Sequence, residues 1–271
     1  MSGRPVELVV TDLDGTLWDR SERLHPSTAA ALAHLEAVGV PVLAATARRP
    51  ASAFAAMRAN KISLPAVLFD GALGKDAVDG ATFHRAAFDP AAARSVLAAF
   101  LDAGVEPCLN IDHPSHDFVV GPHSSTHPDH LAFNAGRTLH AALDDVLPTM
   151  AVLSFLVVGR DRSELTSVLA STSGMGDGSV TADAIYGGHS LSIRPRGTSK
   201  WSGTLAFCAN RNLDPSRVLA VGNGENDREL LRGAAVACAP VDSCREALTL
   251  ADRTVPPAGA GGWASILDLV G

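Results

Sequence analysis

Apolar residues fall along this chain in short unbroken runs separated by stretches of helical spacing. Val6-Glu7-Leu8-Val9-Val10-Thr11 is the first run, Val40–Ala45 the second and Ala66–Phe69 the third. Such runs read as strands buried on both faces of a parallel sheet. Between the first two, Pro26–Val38 places Ala30, Leu32, Leu35 and Val38 at helical intervals ahead of Gly39, which predicts a helix with a glycine stop. A second helix is predicted over Ala51–Asn60. Strand and helix alternating at this spacing is the βαβ pattern. It resumes from Leu191, with helices over Trp201–Asn210 and from Arg228 to Gly233, and strands at Arg217–Val221 and Ala234–Cys238. Between Asp76 and Gly188 the texture changes. Helices are expected at Ala91–Ala103, with Leu97, Phe100 and Leu101 facing inward, and at Glu164–Ala170; a strand is expected at Ala151–Val158, and a loop rich in histidine and proline from His113 to His130. The expectation is therefore a doubly wound, Rossmann-like α/β core formed by residues 1–75 and 189–271, with an α+β domain inserted at 76–188.

Composition narrows the class. The 271 residues are 46% hydrophobic, enough to build a sizeable core, and carry 22 basic against 29 acidic side chains for a net charge of −7. That balance argues against nucleic acid or an anionic membrane as partner, so any affinity for phosphate must come from a local site. Cys108, Cys208, Cys238 and Cys244 show no CxxC spacing and are too few to staple the chain, which predicts reduced thiols and a cytoplasmic location. The amino-terminal stretch carries Arg4 but is interrupted by Asp12 and Asp14, unlike a signal peptide. No uninterrupted apolar segment reaches membrane-spanning length. A monomer or homodimer is expected.

The candidate chemistry sits where the runs end. The first breaks into Asp12-Leu13-Asp14-Gly15-Thr16, two carboxylates beyond the carboxyl end of a buried strand, where ligands of open α/β sheets bind. Such a pair suits Mg²⁺ held by one or two carboxylates plus phosphate oxygens, with the first aspartate free to attack phosphorus. The second run ends in Thr46-Ala47-Arg48, offering a hydroxyl and backbone N–H groups. Lys200 supplies a point positive charge, and Gly222-Asn223-Gly224-Glu225-Asn226-Asp227 brings amide and carboxylate oxygens to the opposite edge.

These four elements, in this order, resemble the haloacid dehalogenase-like phosphohydrolases, and the insertion resembles the cap of their Cof-type branch. The resemblance covers essentially the whole chain. It implies a Mg²⁺-dependent phosphatase acting on a small phosphorylated metabolite through an aspartyl-phosphate, with Asp12 the nucleophile and Asp14 the general acid and base. It implies phosphate binding by Thr46, Ala47, Lys200 and Asn226, and metal binding by Asp12, the Asp14 carbonyl, Asn223 and Asp227. Phe69-Asp70-Gly71-Ala72 stands where such proteins commonly have an Asn-Gly-Ala hinge. Two departures are visible: the fourth motif has Asn223 where aspartate is usual, which implies weaker metal binding, and Ala47 replaces a glycine whose backbone N–H is what matters.

The same residues admit other readings. Arg48 reads as a surface or hinge charge, and Lys200 taken alone as a solvated lysine at a helix start. Gly222-x-Gly224 continues to Asp227 instead of a third glycine, unlike a dinucleotide loop. His113, His116, His123, His127 and His130 are irregularly spaced among prolines, which predicts a polar loop and not a zinc site. A phosphomutase, or a phosphate-responsive regulatory protein without turnover, are the alternatives in function.

Overall fold

A computed structural model describes residues 6–76, 80–183 and 186–270; Arg4 lies outside these. The chain divides into two units, Met1–His84 with Ser199–Gly271, and Arg85–Thr198.

The first unit is a mixed α/β layer structure. Its eight-stranded sheet runs, in spatial order, Arg253–Val255, Val236–Pro240, Val218–Val221, Leu8–Thr11, Val42–Ala45, Ala66–Leu68, Leu73–Lys75 and Thr82–Arg85. The first six pair in parallel, and Leu73–Lys75 turns back antiparallel on Ala66–Leu68. Leu8–Thr11 lies in the middle, and every residue of it is buried, as an unbroken apolar run requires. Helices Pro26–Ala37, Pro50–Ala59, Lys200–Arg211, Arg228–Gly233 and Arg245–Leu250 connect the strands. Of these, Lys200–Arg211, Arg228–Gly233 and Arg245–Leu250 join Phe207, Leu230, Leu231 and Ala247 to Leu8, Val10, Leu43, Val67 and Val218 of the strands in one core. In Pro26–Ala37 the buried face is Thr28, Ala31, Leu32 and Leu35. Ala30 is exposed because it lies on the far side from the 28, 31, 32, 35 stripe, and Val38 is 54% exposed because it caps the helix end, past the last turn, where its side chain meets no packed face.

The second unit has a six-stranded sheet in the order Asp177–Ala182, His189–Arg194, Val152–Arg160, Cys108–Ile111, Phe118–Val120 and Thr138–His140. Neighbours are antiparallel except the last pair. Helices Pro90–Asp102 and Arg162–Ser171 pack on it through Val96, Leu97, Phe100, Leu165 and Val168. Leu101, expected inside, is 45% exposed.

Two features of this unit differ from the sequence expectation. The segment His189–Arg194, placed with the core, is a strand paired on both edges within the second sheet; conversely Thr82–Arg85, placed in the insertion, extends the first sheet. The division accordingly falls nearer 84/85 and 198/199 than 75/76 and 188/189. The His/Pro stretch also holds more order than a loop. It contains the strand Phe118–Val120, and His127 caps the helix Pro128–Asn134 by accepting the Asp129 N–H. Proline at the first helical position and a polar cap before it explain that helix start.

All four cysteines are free thiols. Among the described residues no helix is long and apolar enough to cross a membrane.

Candidate active site

The parallel register places three chain segments side by side at the carboxyl ends of the central strands. Thr11 is opposite Val221 on one side and Ala44 on the other, so Asp12 and Gly222, which follow directly, and Thr46, two residues beyond Ala44, stand at the same end of the sheet. The start of this exit is braced from behind. Thr11 Oγ1 donates to the Asp12 carbonyl at 2.7 Å and accepts from Trp263 Nε1 at 2.9 Å, and the Asp12 N–H donates to Val221 O at 2.9 Å. Gly15, at φ +74°, allows the turn that follows; the N–H groups of Leu17 and Trp18 return to Leu13 O.

Lys200 is the first residue of its helix. Ser199 caps it, accepting the Ser202 N–H at 3.2 Å while Ser202 Oγ accepts the Ser199 N–H at 2.9 Å. The helix reaches the sheet because two glycines let it: a Cβ on Gly203 would stand 2.5 Å from Val67 Cγ1, and one on Gly71 would stand 2.0 Å from Ser199 O. Gly71 also has φ +112° and ends a left-handed stretch begun by Phe69 and Asp70. This close approach drives Lys200 to 1% exposure, far from the solvated helix-start lysine that its sequence context suggests.

Lys200 Nζ donates to Asp12 Oδ1 and to Asp227 Oδ1, each at 2.7 Å. Asp227 is fully buried, and its other oxygen accepts the N–H groups of Asn223, at 2.9 Å, and Gly224, at 2.8 Å. One ammonium thus serves two buried carboxylates, leaving one negative charge uncompensated. Burial pushes the Asp12 carboxyl up to about 7 against the pull of Lys200, with Asp227 and Asp14 adding to the rise. Burial also works against the Lys200 charge, but Asp12 and Asp227 outweigh it and hold the ammonium above the ordinary lysine value.

The remaining expected residues lie around this centre. Thr46 is buried; its carbonyl accepts the Asp70 N–H at 3.0 Å and its hydroxyl accepts the Arg48 N–H at 3.1 Å. Ala47 is exposed beside it. Asn226 Nδ2 donates to Asp70 Oδ1 at 2.9 Å, and Asn223 Nδ2 donates to the Asp14 carbonyl at 2.9 Å. The Asp14 carboxylate is taken by Arg48, with Nε to Oδ2 at 2.7 Å and Nη2 to Oδ1 at 2.6 Å, and by Trp18 Nε1 at 3.0 Å. Arg48, which reads in the sequence as a surface or hinge charge, is therefore the partner of Asp14, with its side chain 20% exposed. Asp70, Trp18 and Glu22, which also binds Arg48, join the site without having been singled out as ligands. The only signal for Arg48 was its place two residues after Thr46.

A model of the haloacid dehalogenase-like hydrolases matches residues 9–267.

The chain belongs to the haloacid dehalogenase-like hydrolases.

Solved structures of similar fold span nearly its full length. One is BT1666 of Bacteroides thetaiotaomicron, from a study of phosphatases of this superfamily, with 18% identity, a TM-score of 0.79 and coverage of 100% of this chain and 99% of that one. Another is a haloacid dehalogenase-like hydrolase of B. subtilis, with 15% identity, a TM-score of 0.78 and coverage of 97% and 99%. A third is the subclass IIB sugar phosphatase BT4131, with 18% identity, a TM-score of 0.74 and coverage of 97% and 98%. By sequence the chain is similar to a phosphoglycolate phosphatase of Aeropyrum pernix, 37% identical over 87 residues, which is 32% of this chain and 36% of that protein. A phosphoglycolate phosphatase of Methanopyrus kandleri is 29% identical over 80 residues, 30% and 34% of the two chains. The chain thus matches about a third of the length of these two relatives.

Among the described residues no three His, Cys, Asp or Glu side chains are gathered as a metal-binding group. A haloacid dehalogenase-like hydrolase does not need such a cage if its ion is Mg²⁺, which keeps several waters and takes only one or two carboxylates with substrate oxygens. The uncompensated charge at Asp12 and the Asp14 carbonyl beside it fit an ion of that kind. The Asn223 amide also faces that carbonyl, with its N–H₂ edge toward it.

Proposed function

We propose that the protein is a Mg²⁺-dependent phosphatase of small phosphorylated metabolites that works through an aspartyl-phosphate on Asp12. The observation that carries this reading is the buried Asp12 carboxylate, bonded to an ammonium it shares with Asp227, at the end of the central strand. A carboxylate so placed is oriented but not fully neutralised, which leaves it an electron pair for phosphorus. Asp12 attacks in line as the ester oxygen leaves, and Asp14 protonates that oxygen. Asp14 then takes a proton from the water that hydrolyses the acyl phosphate, returning Asp12 to its carboxylate. Lys200 offsets negative charge gathering on the phosphoryl oxygens, and Thr46, the Ala47 backbone and Asn226 supply further hydrogen bonds. Asp12, the Asp14 carbonyl, Asp227 and Asn223 would hold the Mg²⁺, whose chemistry is to neutralise the phosphoryl oxygens and lower the cost of bringing two anions together. The inserted unit is assigned the choice of leaving alcohol.

The test is phosphate release from a panel of esters that includes phosphoglycolate and sugar phosphates, with Mg²⁺ and with a chelator, for the wild type and Asp12→Asn. Release that needs Mg²⁺ and disappears in Asp12→Asn, with the far-ultraviolet spectrum unchanged, supports the reading. Turnover retained in Asp12→Asn removes the nucleophile. An isomerised ester without free phosphate would make the protein a phosphomutase.

A further inference from the structure

We propose that Arg48 is a positioning residue which, braced by Glu22 and Trp18, leaves Asp14 a single open proton site and so aims its exchange with the leaving oxygen. This inference rests on Asp14 acting as acid and base. An ionised carboxylate has about four acceptor positions. On Asp14, Oδ1 accepts from Arg48 Nη2 and from Trp18 Nε1, and Oδ2 accepts from Arg48 Nε. Both positions on Oδ1 are filled and one on Oδ2 is left among the described residues. The two parallel bonds from the guanidinium also fix the plane of the carboxyl, which a lysine at this place would not do.

Arg48 is itself held in three ways. Its backbone N–H is tied to Thr46 Oγ1 at 3.1 Å, its guanidinium carbon lies 5.6 Å from the Trp18 ring centroid, and its Nη2 also donates to Glu22. Glu22 is placed at a conformational cost: its φ is +57°, a left-handed geometry that glutamate seldom adopts. That geometry is imposed from outside. The Glu22 N–H donates to Asp19 O at 2.9 Å, and Asn60 Nδ2 donates to Glu22 O at 2.7 Å while Asn60 Oδ1 accepts the Leu24 N–H at 2.9 Å. A strained residue over-determined by its neighbours, with its side chain on Arg48, points to a purpose beyond the turn.

As the Asp12–phosphorus bond forms and the ester bond breaks, the leaving oxygen's electron pair takes the proton from Asp14 Oδ2. As water bonds to phosphorus and the Asp12–phosphorus bond breaks, the water's proton returns to that position. Arg48 keeps its charge throughout. A purely structural Arg48, tying the Leu13–Arg23 turn to the neighbouring strand end, would slow every substrate alike.

The experiment compares kcat for p-nitrophenyl phosphate, whose leaving group needs little protonation, with kcat for glycerol phosphate, whose alkoxide needs it, in Arg48→Met, Arg48→Lys and Glu22→Gln. In Arg48→Met, kcat is expected to fall on the order of 100-fold with glycerol phosphate and less than about 10-fold with p-nitrophenyl phosphate, with KM little changed, as misdirected proton transfer implies. Glu22→Gln should show the same bias at smaller amplitude, and Arg48→Lys should recover only part of the loss. Equal losses with both esters, or no loss, overturn the proposal. Should Arg48→Met fail to fold, the bias in Glu22→Gln, at an exposed side chain, decides it. Activity surviving in Asp12→Asn would instead sink the nucleophile reading on which this one stands, so the two failures are separable.

Discussion

Replacing Lys200 by methionine keeps the alkyl stem and removes the ammonium that two buried carboxylates share. Removing one partner of a buried pair costs about 3–5 kcal/mol, because the partner left behind is an uncompensated charge. The loss should depend on pH in a direction set by Asp12. Its carboxyl titrates near 7 in the folded protein against 3.8 ordinarily, so a stabilising contribution present at low pH is lost as pH rises through about 7. At pH 5 Asp12 carries its proton in both proteins, and Lys200 offsets Asp227 alone. At pH 8 the wild type has ionised Asp12 beside Lys200, whereas the variant must keep the proton or strand the charge. One pH unit beyond 7 is worth about 1.4 kcal/mol, so the destabilisation at pH 8 should exceed that at pH 5 by about 1–2 kcal/mol. Trp18, Trp201 and Trp263 all lie in the unit that holds the site, so tryptophan fluorescence during urea unfolding, in chelator, reports on that unit alone. The corresponding shift in melting temperature is on the order of 6–20 °C. A loss below about 1 kcal/mol, or one identical at the two pH values, would refute the shared-ammonium argument.

Two further substitutions probe the loops. Asn223→Asp removes the N–H that the Asp14 carbonyl accepts and sets a carboxylate against it; stability in chelator should drop by about 1 kcal/mol. The same variant should show a larger thermal shift on adding Mg²⁺ than the wild type and reach half-maximal rate at lower Mg²⁺, and a smaller shift would count against Asn223 as the weak ligand. Gly71→Ala would put a methyl 2.0 Å from Ser199 O at φ +112°, costing about 1–3 kcal/mol and moving the helix start that carries Lys200. Its kcat should fall with its stability; wild-type kcat in a correctly folded Gly71→Ala would show that Lys200 does not depend on this approach.

Much of this site could be read from the sequence because most of its parts are strand ends. An apolar run that breaks into Asp12-x-Asp14-Gly15 states its own burial and its own exit, and the fixed order of Thr46, Lys200 and the Gly222–Asp227 loop is a property of the chain. The α/β core with an insertion, and the strand ends that meet at the candidate site, followed from local pattern. Which charge pairs with which did not, because partners lie 34 residues apart for Arg48 and Asp14 and 188 apart for Lys200 and Asp12, and only sheet register and helix packing bring them together. The burial of Lys200 depends on Gly71 and Gly203 meeting other elements, which no helical pattern records. The strand His189–Arg194 likewise belongs to the second sheet because of its two neighbours there, both supplied by other segments. Hydrophobic period decides what each segment is; long-range approach of backbones decides where a charge ends up and whether it is neutralised.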